Sequence, residues 1–222
     1  RLAVLMTLFI QMFRYAAEPF FFSHAREENA RKLYAGVMKY FIIFCLIIFL
    51  GVTLFIDLVK YFIGSDFRTG LAIVPIILMA NLLLGVFYNL SVWYKLTDKT
   101  FYGALIALAG AFITILLNFM LVPRFGYHGA AWAHLACYLS MVVIAYFWGR
   151  RFYPIPYDLG RILIYFVLAL GLYFMASALT LPEGILRYAV HAVYIGIFLF
   201  VSIMLERKRY AGEFIKDQSN EN

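Results

Sequence analysis

The 222 residues are 65% hydrophobic and only 14% charged, and they carry a formal net charge of +7. Apolar runs of about 20 residues, each long enough to cross a bilayer core, recur from end to end. This excludes a soluble globular domain and predicts an all-α, polytopic transmembrane helix bundle. The basic residues fall in short loops between the runs, which suits anionic lipid headgroups and argues against a nucleic-acid partner. Cys45 and Cys137 both lie inside apolar runs, where they read as packing residues with no disulfide framework or metal-ligand spacing. The chain begins at Arg1 and enters an apolar run at once, without the n-region or cleavage site of a signal peptide. The expectation is a fragment whose N-terminal part is missing.

Seven spans are predicted, roughly 2–22, 36–57, 70–93, 101–122, 129–148, 160–181 and 185–205. The first ends at Pro19 and a run of phenylalanines, then passes into the charged linker Ser23 to Lys32, expected to continue as helix into the second span. Asp57 and Lys60 close the second span, and Gly64-Ser65-Asp66 make the turn. Pro75 and Gly85 stand in the third span, where an interior proline would kink the helix. Lys95 to Thr100 form a tight polar turn. The small residues Gly129, Ala130, Ala131 and Ala133 open the fifth span and suit close packing on a neighbour. Arg150-Arg151 and Pro154-Ile155-Pro156 separate it from the sixth span, Pro182-Glu183-Gly184 turn the sixth into the seventh, and the tail from Glu206 reads as short, polar and frayed.

Counting Lys and Arg on alternate sides gives the orientation. The first, third and fifth loops and the tail hold thirteen, including Arg26, Arg31, Lys32, Lys39, Lys95 and Lys99. The other three loops hold four: Lys60, Arg68, Arg124 and Arg187. The bias predicts a cytoplasmic C-terminus and places Arg1 on the outer side, which agrees with an absent upstream part that contains an odd number of spans.

Chemistry concentrates in the first span. Gln11, Arg14 and Glu18 stand at i, i+3 and i+7 and so form one polar stripe on an otherwise apolar helix. A charge near the bilayer centre costs about 2.5–3.5 kcal/mol or more unless it faces a cavity or a partner. Arg14 reads as the only Arg or Lys set well inside a span, with Glu18 one turn away as a partner. The guanidinium fork suits phosphate, so the functional reading is an anion-binding patch on a groove, with Glu18 tempering the affinity. The alternatives are an internal Arg–Glu pair that neutralises itself, or an arginine snorkelling to the headgroups. His24, Arg26, Arg31 and Lys32 would draw a phosphorylated headgroup toward the inner mouth, or else serve only as positive-inside charges. Asn81, Asn89, Thr114, Asn118 and His134 read first as hydrogen-bonding glue between helices. His24, His128, His134 and His191 are scattered without paired carboxylates, and no Gly-rich phosphate loop or nucleophile elbow occurs, which leans away from an enzyme and from a metal or cofactor site.

Three segments carry a family resemblance. Phe13-Arg14-Tyr15-Ala16-Ala17-Glu18-Pro19-Phe20-Phe21-Phe22 resembles the F-R-x-A-x-x-P-F-x-F segment of bacterial oligosaccharide flippases. Asn118 with Leu121 to Ala131 resembles their N-x-x-L-I-P-x-x-G-x-x-G-A-A segment, and Tyr94 to Thr100 resembles their Y-x-x-x-x-K-T turn. These are polysaccharide biosynthesis proteins of the multidrug/oligosaccharidyl-lipid/polysaccharide exporter superfamily. The resemblance spans residues 10–135 and fades after about residue 150.

Such proteins have fourteen helices, so the resemblance implies that residues 1–157 are most of the second six-helix lobe, 158–209 the final helix pair and 210–222 a cytoplasmic tail. The first lobe would be the partner that is absent. The implied function is an inner-membrane flippase that carries an undecaprenyl-pyrophosphate-linked oligosaccharide to the outer leaflet by alternating access. Arg14, with Glu18 and Gln11, would meet the headgroup, and Glu18 or Asp57 would couple an ion gradient. Two other classes remain: a polysaccharide polymerase or ligase of the same pathway, for which the outer loops are short, and a drug or cation exporter, for which an acidic cleft would be expected. If the resemblance holds, residues 1–222 expressed alone will not restore surface polysaccharide to a flippase-null strain, and restoration would contradict the half-protein expectation.

Overall fold

The computed structural model describes residues 2–59, 70–179 and 184–220. The described residues form eight helical segments and no strand: α1 (Leu2–Ser23), α2 (Ala30–Leu54), α3 (Ile56–Val59), α4 (Val74–Leu90), α5 (Val92–Leu96), α6 (Thr100–Phe152), α7 (Leu159–Ala178) and α8 (Ile185–Asn220). The protein is an all-α helical bundle. Five stretches are long and apolar enough to cross a membrane: Ala30–Leu54, Gly70–Leu96, Thr100–Phe152, Leu159–Ala178 and Ile185–Arg207. α1, although 22 residues long, is not among them, and its polar stripe of Gln11, Arg14 and Glu18 is the reason.

α6 is one run of helical residues but two antiparallel rods. Gly126 has φ 57° and ψ −133°, a backbone state essentially restricted to glycine. The Cys137 thiol donates to the Gly110 carbonyl oxygen at 3.3 Å, whereas a straight helix would set these residues about 40 Å apart at 1.5 Å per residue. The chain therefore reverses at Gly126, and the rods 100–125 and 127–152 correspond to the predicted fourth and fifth spans. Gly129 closes the reversal, since a Cβ there would lie 2.4 Å from the Leu121 carbonyl oxygen.

Contacts along the rods fix an alternating up-and-down order. Phe9 meets Phe44 and Phe21 meets Tyr34, so α1 and α2 are antiparallel. Asn81 donates to Thr7, and Lys95 reaches Glu18, so α4–α5 runs with α1. Phe49 packs on Tyr173, and Lys39 meets Glu206, which aligns α7 with α2 and opposes α8 to both. α4 contacts α1, α2 and α6, while α2 contacts α1, α4, α7 and α8, so these two helices form the centre. Their shared core holds Met6, Ile10, Phe41, Ile42, Leu46, Phe49, Leu78 and Leu82. Gly85 permits the closest approach: a Cβ there would lie 2.3 Å from Phe41 Cζ and 3.2 Å from Ile10 Cγ1.

Several expectations change. Pro75 occupies the first turn of α4, where its missing N–H costs nothing, so it starts the helix and does not kink it. Lys39 is not a loop charge; it lies within α2 and is 4% exposed. Arg14 is therefore not alone among span cations. Glu206 is not part of a frayed tail, because it is buried and α8 runs on to Asn220. The predicted Gly64-Ser65-Asp66 turn, Lys60, Arg68, Pro182 and Glu183 lie outside the described residues.

Replacing Gly126 with Ala should cost about 1–3 kcal/mol through the strained backbone alone, read as a lower thermal midpoint in detergent. Gly36→Ala is the matched control, since nothing lies within 4 Å of its added methyl. Equal effects at the two sites would contradict the reversal.

Candidate functional site

The end of the bundle where α1 and α5 finish and α2, α6 and α7 begin gathers the basic residues. Its centre is Glu18. Arg14 Nε donates to Glu18 Oε1 at 3.0 Å along α1, as the one-turn spacing predicts, and Lys95 Nζ from α5 donates to the same oxygen at 2.6 Å. The Arg14 guanidinium carbon lies 4.8 Å from the centre of the Tyr88 ring, a cation–π contact that holds the side chain against α4. Two cations thus share one carboxylate, and the cluster keeps a net positive charge. Glu18 engages only the Nε–H of Arg14, so the Nη groups are not committed to it. The side chains of Arg14, Glu18 and Lys95 are 37%, 38% and 26% exposed, which leaves the cluster open to a ligand.

Lys95 was not singled out from the sequence, where it reads as a turn residue of the positive-inside face. Its position depends on Trp93, two residues earlier, which is 1% exposed. Trp93 Nε1 donates to the Ala145 carbonyl oxygen at 3.1 Å, and its ring stacks on Phe152. Gly149 makes room for that ring, since a Cβ there would lie 2.9 Å from Trp93 Cδ1. The anchored tryptophan pins α5 onto α6 and so delivers Lys95 to Glu18.

The other predicted residues are placed unevenly. Gln11 is half-buried, and no hydrogen bond joins it to Arg14 or Glu18 among the described residues. Arg26 and Lys32 are exposed at the same end as Glu18. Arg31, also exposed, caps the Tyr153 ring at 4.7 Å. Asp57 lies at the opposite end, bonded to Arg187 at 2.7 Å, so Glu18 and Asp57 do not share a site. Asn81 joins α1 to α4 through Thr7, as expected of a gluing residue. Thr114 and Asn118 instead bond one turn back within their own rod.

A second charged cluster has no counterpart in the sequence reading. Lys39 Nζ donates to Glu206 Oε2, and the Tyr165 hydroxyl donates to Glu206 Oε1 at 2.6 Å. Arg161 stands 3.9 Å from Glu206 and pairs with Asp158 at 3.1 Å. Asp158 in turn caps α7 by accepting from the Arg161 backbone N–H at 3.2 Å. Lys39 and Glu206 are 6% and 10% exposed in their side chains, too enclosed for a ligand. This cluster ties α2, α7 and α8 together. No group of three or more His, Cys, Asp or Glu placed to hold a metal occurs among the described residues.

Comparison with known protein families, with characterised proteins and with solved structures finds no match.

Removing one partner of the enclosed pair leaves a buried charge alone. Glu206→Gln should destabilise the protein by about 3–5 kcal/mol, measured by chemical unfolding in mild detergent. Adding Lys39→Met to that variant should recover most of the loss. A double variant no better than the single one would show that Lys39 and Glu206 are not coupled.

Proposed function

We propose that this chain belongs to a flippase of a bacterial inner membrane, with its C-terminus on the cytoplasmic side. It would carry a polyprenyl-pyrophosphate-linked oligosaccharide from the cytoplasmic to the outer leaflet, for cell-surface polysaccharide or lipopolysaccharide. The observation that supports this reading is the open cluster of Arg14, Lys95 and Glu18. A diphosphate is met by cationic donors, and Arg14 offers a planar fork and Lys95 a point charge. A transported headgroup must also be released. Glu18 competes with it for both cations, so the cluster binds without trapping. Arg26, Arg31 and Lys32 surround the same end and would raise the local concentration of an anionic headgroup. The resemblance of residues 13–22 to a flippase segment gives the same placing for Arg14.

The reading requires no covalent step. The headgroup enters at the basic end, exchanges the Glu18 contacts of Arg14 and Lys95 for its own oxygens, and leaves as the carboxylate reclaims them. Membrane lipids supply the surrounding solvent, and the energy source is a gradient of protons or sodium. Glu18 is the carboxylate best placed to couple one, because its charge state sets how strongly the two cations attract the substrate.

The test is the sidedness of the lipid-linked oligosaccharide pool, probed with an impermeant sugar-modifying reagent in cells that carry variants of the natural protein. Arg14→Ala and Lys95→Ala should each slow the appearance of outer-leaflet units about tenfold, equivalent to ~1.4 kcal/mol. Arg14→Lys should rescue only in part, because a point charge lacks the fork. Complete units that reach the outer leaflet at normal rate but stay unpolymerised would identify a polymerase and overturn the reading.

A further inference from the structure

At the end of the bundle opposite Glu18, α2, α3, α4, α7 and α8 line a half-open cavity of about 210 Å³. Its polar lining comes from Thr53, Asp57, Tyr173, Ser177, Arg187 and His191. His191 is 5% exposed, and its Nδ1 is buried with no hydrogen-bond partner. Arg187 is held through Nη2 by Asp57, yet its Nε–H is also buried and unpartnered. These two orphaned groups stand one turn apart on α8. Burying a polar atom without a partner costs about 1–3 kcal/mol, so two of them on one cavity wall mark a place where a ligand supplies the bonds.

The chemistry of the wall narrows the ligand. Among the described lining residues the charged side chains are Asp57 and Arg187, which pair with each other, so these residues carry no excess charge to hold an anion. Arg187 Nε is a donor. Thr53 and Ser177 spend their hydroxyl protons on the Phe49 and Phe174 carbonyl oxygens, at 2.7 and 2.9 Å, and turn lone pairs outward as acceptors. The Asp57 carboxylate adds acceptor capacity, and the Tyr173 ring adds an apolar wall. Donors and acceptors alternating beside an aromatic ring match a neutral polyhydroxylated ring. At about 30 Å³ per water the space holds about seven waters, the size of one six-membered sugar.

We infer that this cavity is a monosaccharide-binding subsite, in which Asp57, Arg187 and His191 bond the hydroxyls of a single pyranose. The inference rests on the transport reading for the origin of that sugar, a residue of the carried oligosaccharide. The site stands at the end where the saccharide would leave, remote from the cationic cluster that takes the diphosphate. Holding one sugar ring there would keep the chain oriented as the headgroup lets go.

Saturation-transfer NMR on the detergent-solubilised natural protein provides the test, with the methyl glycosides of glucose, galactose and N-acetylglucosamine as probes. At least one glycoside should show transfer at millimolar concentration. Ala72 lines the cavity and is exposed, so Ala72→Phe fills space without disturbing the core and should abolish the signal. His191→Leu should weaken it at least fivefold. Three results would overturn the inference: no glycoside signal, a signal that survives Ala72→Phe, or displacement by inorganic pyrophosphate, which would mark an anion site. Transport fails independently: oligosaccharide that crosses normally without the protein would remove the flippase reading, while the NMR result stands or falls on its own.

Discussion

A charged side chain buried in an apolar helical bundle has to find its counter-charge inside the protein, and three of the pairs here join different segments of the chain. Glu18 on α1 takes Lys95 from α5, Glu206 on α8 takes Lys39 from α2, and Arg187 on α8 takes Asp57 from α3. Each pair sets the register of one helix against another, because a slip of one turn would strand both charges. For the enclosed Lys39–Glu206 pair a stranded partner costs several kcal/mol, comparable to much of the stability of an ordinary domain. The apolar contacts then fill in around a register that the ion pairs have already narrowed.

The two clusters at the basic end share a composition and differ in enclosure. Lys39 and Glu206 are almost wholly buried, and Tyr165 supplies a further bond to the carboxylate. Such an enclosed pair is closed to a ligand and serves the architecture. Arg14, Lys95 and Glu18 are each about a quarter to two-fifths exposed, and one carboxylate serves two cations. An exposed pair of this kind adds little to stability, about 0–1 kcal/mol. These three side chains therefore add little to the fold, and their exposure leaves them accessible for the ligand role proposed above.

The helical class and six of the seven predicted spans follow from hydropathy alone, and the reversal between the fourth and fifth rests on Gly126, a residue of the quoted Leu121 to Ala131 segment. The one-turn pairing of Arg14 with Glu18 was legible for the same reason, since helical spacing is local. What could not be read was every contact between distant segments. Lys95 looks like any loop lysine until Trp93 is seen to be anchored 52 residues away on Ala145. Lys39 reads as a loop charge because its partner, Glu206, lies 167 residues further on. Charge counts assign a residue to a side of the membrane from its neighbours in sequence, whereas burial is decided by which helices meet. Pro75 shows the same limit: its effect depends on whether it falls in the first turn or the interior, and span boundaries read from hydropathy are too coarse to tell.

The same pairing constraint explains why the polar features sit at opposite ends of the bundle and not at its middle. In the centre, α2 and α4 approach closely enough that Gly85 tolerates no side chain, and the core there is filled by Phe41, Ile10 and Leu82. Among the described residues, the open cationic cluster and the cavity both stand near helix termini. At one end this produces a cationic cluster with donors left over. At the other it produces a neutral cavity with orphaned Arg187 and His191 atoms. A diphosphate attached to a sugar has this same division of chemistry along its length, charged at one end and polyhydroxylated at the other. On the transport reading, the apolar waist packed around Gly85 would direct such a substrate along the bundle's surface.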